Sequence, residues 1–123
     1  MPSVLIVDHE SAERRSLALV LGLEGFQVDI AESEVSANEQ LAGQAGYDVV
    51  LVDLMIPGLN GLSLARSIRQ MYPRSRIVLT SAYPLSQRQL ERADCGAIGF
   101  VPKPYELDEV SRYLRSKIVV ASA

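Results

Sequence analysis

Acidic, hydroxyl and basic side chains follow directly on several short apolar runs of this chain. These side chains are Asp8, Asp53, Thr80, Ser81 and Lys103. Carboxylate oxygens are ligands that Mg²⁺ prefers, and a lysine beside a hydroxyl suits the oxygens of a phosphoryl group. A carboxylate can also accept a phosphoryl group as a nucleophile. If the fold brings these residues together, they predict a Mg²⁺ site at which an aspartyl-phosphate forms.

The apolar runs have the length of buried strands, and amphipathic stretches alternate with them. We expect strands over residues 4–7, 26–30, 49–52, 77–79 and 97–101. We expect helices over residues 11–24, 62–72, 85–93 and 106–119, and a short helix capped by Ser36 and Glu39. Five such units predict an α/β fold, a doubly wound (βα)5 flavodoxin-like sandwich with a five-stranded parallel sheet. Ligands bind such folds at the carboxyl ends of the strands, where the side chains named above stand.

Composition excludes several classes of protein. The 123 residues suffice for one domain, which we expect to span residues 1–123. No apolar run approaches the roughly 20 residues of a transmembrane helix, and no basic segment precedes the first apolar run, as a signal peptide would require. The net charge of −3 provides no attraction to nucleic acid or to an anionic membrane. The single cysteine, Cys95, excludes an internal disulfide and favours a cytoplasmic protein.

Four motifs in order give the whole chain a resemblance to a known family. The motifs are Val7–Glu10, Asp53–Gly61, Leu79–Tyr83 and Gly99–Tyr105. These motifs and the intervals between them resemble the response regulator receiver domains of two-component signalling, a family that includes chemotaxis regulators. Each motif alone is weak, whereas four in order at the expected strand ends are specific.

The resemblance implies that Asp53 accepts a phosphoryl group from a phosphohistidine. It implies that Asp8, Asp53 and the backbone carbonyl of Met55 hold Mg²⁺. The family usually has two adjacent acids after the first strand, but His9 stands in the second place here, with Glu10 next. Neutral imidazole is a poorer Mg²⁺ ligand than a carboxylate. Either His9 or Glu10 is therefore the candidate for the remaining ligand position.

The resemblance also assigns the other residues of the site. Ser81 and Lys103 would contact the phosphoryl oxygens, with Thr80 as the alternative hydroxyl. Phe100 stands at the position of the family's switch aromatic, and the Lys103–Pro104 peptide bond is expected to be cis.

The implied function is that of a phosphoacceptor in a phosphorelay, and not of an enzyme. The partners would be a sensor histidine kinase or a phosphotransfer protein, and downstream a protein partner or an output domain. The fourth helix, fifth strand and fifth helix would form the switching surface, which could also pair two copies. Such a protein acts alone or as part of a longer one, and contacts neither nucleic acid nor a membrane directly. Arg14 and Arg15 are assigned to a solvated face of the first helix, or to a contact with the kinase, and not to a nucleic-acid patch.

Two alternatives remain open at this point. His9 motivates a pseudo-receiver that binds proteins without phosphorylation. Asp8 and Glu10, two residues apart after the first strand, loosely match a small Mg²⁺-dependent phosphatase that forms an aspartyl-phosphate.

Overall fold

Five strands and five helices alternate in the computed structural model, which describes residues 1–119. The strands are β1 (Ser3–Val7), β2 (Gln27–Ala31), β3 (Val49–Asp53), β4 (Arg76–Ser81) and β5 (Ala97–Pro102). The helices are α1 (Ser11–Leu23), α2 (Glu34–Gln44), α3 (Gly61–Met71), α4 (Gln87–Ala93) and α5 (Leu107–Val119). None of the helices within these residues has the length and apolarity needed to cross a membrane.

All five strands run parallel in one sheet, in the order β2-β1-β3-β4-β5. The central strand β3 is buried along its whole length, as is typical of a parallel sheet covered by helices on both faces. β2 lies at the edge and has a partly exposed pattern, which agrees with the alternation in its sequence. This architecture confirms the predicted doubly wound sandwich.

Alternate residues of the strands pack into two separate cores, one on each face of the sheet. Leu5 and Val50 belong to the core that α2 and α3 cover, whereas Ile6 and Leu51 belong to the core beneath α1 and α5. All four side chains are at most 1% exposed. The helices thereby hold the strands in register from both sides.

The start of α2 differs from the predicted cap. Ser33, not Ser36, is the N-cap residue, and its hydroxyl accepts a hydrogen bond from the Ser36 backbone N–H. The Ser36 hydroxyl in turn accepts one from the Ser33 backbone N–H. The predicted box of Ser36 with Glu39 is therefore wrong, because this reciprocal pair starts the helix nearly one turn earlier.

Backbone hydrogen bonds tie the carboxyl ends of the strands together. The N–H of Asp8 donates to the carbonyl of Ala31 at 3.0 Å, and the N–H of Lys103 donates to the carbonyl of Ser81 at 2.9 Å. Leu54 donates to the carbonyl of Thr80 at the same distance of 2.9 Å. Because parallel strands end at one edge of the sheet, the residues that follow them share a single pocket.

Candidate functional site

Lys103 lies between the carboxylates of Asp8 and Asp53. Its Nζ atom is 3.1 Å from Asp8 Oδ2 and 3.0 Å from Asp53 Oδ2. The side chains of Lys103, Asp8 and Asp53 are only 7%, 3% and 1% exposed. The structure thus brings together three of the residues that stand at the ends of β1, β3 and β5.

Backbone N–H groups fix the second oxygen of each carboxylate. Asp8 Oδ1 accepts a hydrogen bond from the Glu10 N–H, and Asp53 Oδ1 accepts one from the Met55 N–H, both at 2.9 Å. Each aspartate therefore holds the first turn of its own loop with one oxygen and faces Lys103 with the other. The two carboxylates are oriented by the chain itself.

Burial and charge act in opposite directions on the ionisation of this cluster. Burial raises the pKa of Asp8 above its ordinary value, although the Glu10 N–H and Lys103 oppose the shift. Burial alone would lower the pKa of Lys103, but the nearby carboxylates of Glu13, Asp53 and Asp8 outweigh it, and the net shift is upward. Lys103 therefore stays protonated at neutral pH.

Glu13 is a member of the cluster that sequence reasoning missed. Its Oε2 atom is 2.6 Å from Lys103 Nζ, closer than either aspartate. Glu13 lies in the first turn of α1, which begins three residues after Asp8. Three carboxylates against one ammonium group leave an excess of negative charge, and this favours binding of a divalent cation.

One group of side chains in residues 1–119 is spaced to hold a metal ion. A ligand atom of Asp8, one of His9 and one of Asp53 all lie within 4.8 Å of one another. The aspartates are buried and His9 is exposed. Glu10 is not in this group and occupies the N-cap position of α1, where its side chain makes no capping hydrogen bond. Of the two candidates for the remaining ligand, the structure places His9 beside the carboxylates.

The two hydroxyls at the end of β4 have different partners. Thr80 Oγ1 is buried and donates to the carbonyl of Val101 at 2.7 Å. Ser81 Oγ accepts a hydrogen bond from the Tyr83 N–H at 3.0 Å, an arrangement that leaves its own proton available. The structure therefore favours Ser81 over Thr80 as the hydroxyl that can donate to a phosphoryl oxygen.

The residues before and after Lys103 in the chain include the predicted switch aromatic and the predicted cis bond. Phe100 pairs with Leu79 across β4 and β5, is half-buried and packs against the core on the α3 face. The predicted cis bond between Lys103 and Pro104 is confirmed. The next residue, Tyr105, has a buried hydroxyl that finds no hydrogen-bond partner within residues 1–119, and burial raises its pKa to about 12.

Arg14 does not lie on a solvated face, and that expectation is wrong. It is 8% exposed, and its Nη1 atom donates to the backbone carbonyl of Asp8 at 2.7 Å. Its Nη2 atom lies 3.8 Å from a carboxylate oxygen of Glu32. Arg15, by contrast, is exposed. Arg14 thus braces the loop that carries Asp8 and His9.

Comparisons with known proteins give one consistent result. The family described as "Response regulator receiver domain" matches residues 4–115. The chain is 32% identical over 115 residues to "Uncharacterized transcriptional regulatory protein YkoG" of Bacillus subtilis, covering 94% of this chain and 50% of that protein. It is 33% identical over 116 residues to "Response regulator ArlR" of Staphylococcus haemolyticus, covering 94% and 52%. The chain therefore spans about half the length of these relatives.

Solved structures agree with the sequence relatives. A response regulator of Thermotoga maritima superposes with a TM-score of 0.86 at 28% identity, covering 97% of this chain and 98% of that one. The response regulator protein TrrA of Thermotoga maritima, solved in complex with Mg²⁺-BeF, gives a TM-score of 0.80 at 30% identity and covers 95% and 99%. The similarity therefore extends over nearly the whole of this chain.

Proposed function

This chain belongs to the response regulator receiver domains of two-component systems, and from that membership we propose that Asp53 is its phosphoacceptor. The observation that carries the proposal is the position of the Asp53 carboxylate. It is buried at the end of β3, bound through Oδ1 to the Met55 N–H and through Oδ2 to the Lys103 ammonium. Receiver domains are signalling modules and are generally not catalytic enzymes.

Asp8, Asp53 and the backbone carbonyl of Met55 would hold the divalent cation. Receiver domains typically bind Mg²⁺ at an acidic pocket, and the excess negative charge and oxygen donors of this cluster fit such an ion. When bound, the cation offsets charge on the phosphoryl oxygens and on the carboxylate. The complex of TrrA with Mg²⁺-BeF supports a site of this kind in a protein of the same fold.

Lys103 would change partners when the phosphoryl group arrives. An Asp53 oxygen forms the new bond to phosphorus, and the bond between phosphorus and the donor's histidine nitrogen breaks. The electron pair of the broken bond stays on the histidine nitrogen, which takes up a proton, and the negative charge at position 53 now lies on the phosphoryl oxygens that arrive with the group. The Lys103 ammonium, now 3.0 Å from Asp53 Oδ2, would follow that charge, while Glu13 at 2.6 Å keeps it in place.

The switching surface would comprise α4, β5 and α5. The helix α4 buries none of its residues, so few contacts hold it in one position. Ser81 would donate to a phosphoryl oxygen and Phe100 would follow the movement of the chain around Ser81. A sensor histidine kinase or a phosphotransfer protein would supply the phosphoryl group, and a protein partner or an output domain, or a second copy, would bind the changed surface.

The test is intact-protein mass after incubation with acetyl phosphate, with and without Mg²⁺. We expect one phosphoryl adduct on the wild-type protein that depends on the cation, and none on Asp53→Asn. Asp94→Asn is the matched control, because Asp94 is exposed and its left-handed backbone tolerates asparagine. An adduct of equal yield on Asp53→Asn would refute the assignment.

A phosphorylation-independent binding module is the second candidate, and His9 in place of an acid is the observation that favours it. Such a pseudo-receiver would form no adduct with any divalent cation or phosphodonor. It would bind its partner equally well with and without the donor. The mass measurement described above, extended to transition-metal ions and to a phosphohistidine donor, separates it from the first candidate.

The phosphatase alternative has less support in the structure. It would need the Glu10 carboxylate beside Asp8 and Asp53, but Glu10 lies outside the metal-binding group of the described residues. Its backbone N–H, and not its carboxylate, contacts Asp8. A turnover assay with a generic phosphate ester should therefore show no activity.

Replacing the two hydroxyls at the end of β4 should give opposite results. Ser81→Ala should lose only the stability of the part-buried hydrogen bond from the Tyr83 N–H and still form the adduct, but lose most of the phosphorylation-induced amide shifts in α4, β5 and α5. Thr80→Val should keep those shifts but lower the free energy of unfolding by about 1–2 kcal/mol, because the Val101 carbonyl loses its buried donor. NMR of the phosphorylated proteins and urea unfolding measure the two effects. Full amide shifts in Ser81→Ala would contradict the role of Ser81.

A further inference from the structure

The metal-binding group of this pocket contains an imidazole. We propose that His9, with the carboxylates of Asp8 and Asp53, makes the pocket bind a divalent first-row transition-metal ion in preference to Mg²⁺. The inference rests on the proposed use of this pocket as a cation site. It concerns which ion the site selects, a property that follows from the donor atoms of these residues.

The geometry allows all three side chains to reach one ion. Their ligand atoms lie within 4.8 Å of one another. Around an octahedral ion with bonds of about 2.1 Å, two ligand atoms lie about 3 Å apart when adjacent and about 4.2 Å apart when opposite. Backbone N–H groups already orient both carboxylates, whereas the His9 ring is exposed and free to turn. The 4.8 Å bound is wider than the separation of opposite ligands, so the exposed ring would turn toward the carboxylates to complete the ligand set.

The donor atoms of the site determine which ion binds most tightly. Mg²⁺ prefers oxygen ligands and gives up its bound water reluctantly. Replacing one of these waters with a neutral imidazole nitrogen therefore adds little to its binding affinity. Imidazole suits transition-metal ions such as Ni²⁺ and Zn²⁺, and the affinity of nitrogen-donor sites rises from Mn²⁺ through Co²⁺ and Ni²⁺ to Cu²⁺. A histidine in the place of a carboxylate also removes a negative charge that Mg²⁺ would use. His9 therefore weakens Mg²⁺ binding and strengthens binding of the later transition metals.

The third carboxylate of the cluster does not restore an all-oxygen site. Glu13 forms an ion pair with Lys103 at 2.6 Å and is not one of the side chains grouped around the metal position. Its charge is directed at the lysine ammonium. The ligand set on the metal side of the pocket therefore remains two carboxylates and one imidazole.

The composition of the chain allows metal binding by His9 to be observed directly. His9 is the only histidine in the sequence, so every imidazole signal in an NMR spectrum belongs to it. The only cysteine, Cys95, is 1% exposed and packs in the core two residues before the start of β5, at the opposite end of that strand from the pocket. A signal from bound imidazole therefore reports on this pocket alone.

The experiment measures binding of Co²⁺, Ni²⁺ and Mg²⁺, each added alone, by calorimetry. The proteins are wild type, His9→Gln, His9→Asp and, as matched control, Glu10→Gln. We expect His9→Gln to lose about tenfold or more in Co²⁺ and Ni²⁺ affinity with little change for Mg²⁺. His9→Asp should bind Mg²⁺ about tenfold more tightly than wild type. Glu10→Gln should match wild type with all three ions, because its carboxylate lies outside the group.

The second readout is the pair of carbon-bound ring protons of His9 in the ¹H NMR spectrum. Saturating Co²⁺ should shift them strongly in wild type and leave them near their original positions in Asp53→Asn at the same ion concentration. Unshifted ring protons at saturation, or equal Co²⁺ affinities of wild type and His9→Gln, would overturn the inference. Those results together with a Mg²⁺-dependent adduct on Asp53 would leave the proposed function intact. Shifted ring protons with no adduct under any ion would instead refute the proposed function.

Discussion

Lys103→Ala is expected to lower the free energy of unfolding by about 3 kcal/mol and to abolish the response to phosphorylation. The ammonium is the shared partner of Asp8 and Asp53, whose side chains are at most 3% exposed. Removing one partner of a buried ion pair leaves an uncompensated charge in the interior. Urea unfolding monitored by circular dichroism measures the loss of stability, and amide shifts of the phosphorylated protein measure the loss of response.

The loss of stability should depend on pH in a defined direction. The pKa of Asp8 is already raised by burial, and without Lys103 it rises further. Across the window between the unfolded value of 3.8 and that raised value, the folded state binds more protons than the unfolded state. The stability of Lys103→Ala therefore falls as the pH rises through this window. At pH values below 3.8 most of its difference from wild type should vanish.

Two further variants isolate the charge from the packing of the lysine chain. Lys103→Arg keeps the positive charge and should lose much less stability than the alanine variant. Adding Asp8→Asn to Lys103→Ala removes one of the unpaired carboxylates and should recover part of the loss. An alanine variant as stable as wild type at neutral pH would show that the buried cluster is not held by this ammonium.

The strands and the residues at their ends were predictable because a parallel sheet imposes a simple rule. Apolar runs of four or five residues identify β1, β3 and β5. Because parallel strands all run in the same direction, the residues that follow them, Asp8, Asp53 and Lys103, must meet at one edge of the sheet. The rule needs no knowledge of helix orientation. His9 was predictable for the same reason, since it directly follows Asp8.

The contributions of α1 to the pocket could not be predicted from periodicity. A helical pattern separates the apolar face, on which Leu17 and Leu21 are buried, from the polar remainder. It does not show that the first turn of the polar side faces the carboxyl edge of the sheet. That placement depends on how α1 packs on β1, and it brings Glu13 to Lys103 and Arg14 to the Asp8 carbonyl.

The neighbouring residues Arg14 and Arg15 offer a matched test of that placement. Arg14→Ala is expected to lower the free energy of unfolding by about 2 kcal/mol, whereas Arg15→Ala should stay within about 0.5 kcal/mol of wild type. The reason is that the buried Arg14 guanidinium donates a charged hydrogen bond to the Asp8 carbonyl at 2.7 Å, while Arg15 is exposed. Urea unfolding of the two variants beside wild type measures the difference.

Arg14→Ala should also affect the site, because the carbonyl it binds belongs to the residue whose side chain would hold the cation. Without the guanidinium, the loop that carries Asp8 and His9 loses a hydrogen bond that fixes its position. The affinity of the site for divalent ions should therefore fall about tenfold at temperatures where the variant is fully folded. Arg14→Lys keeps the charge but lacks the planar fork of donors, so it should recover only part of the affinity. Equal stability of Arg14→Ala and Arg15→Ala would contradict the buried contact. Equal ion affinity with reduced stability would show that Arg14 supports the fold but does not position the ligands.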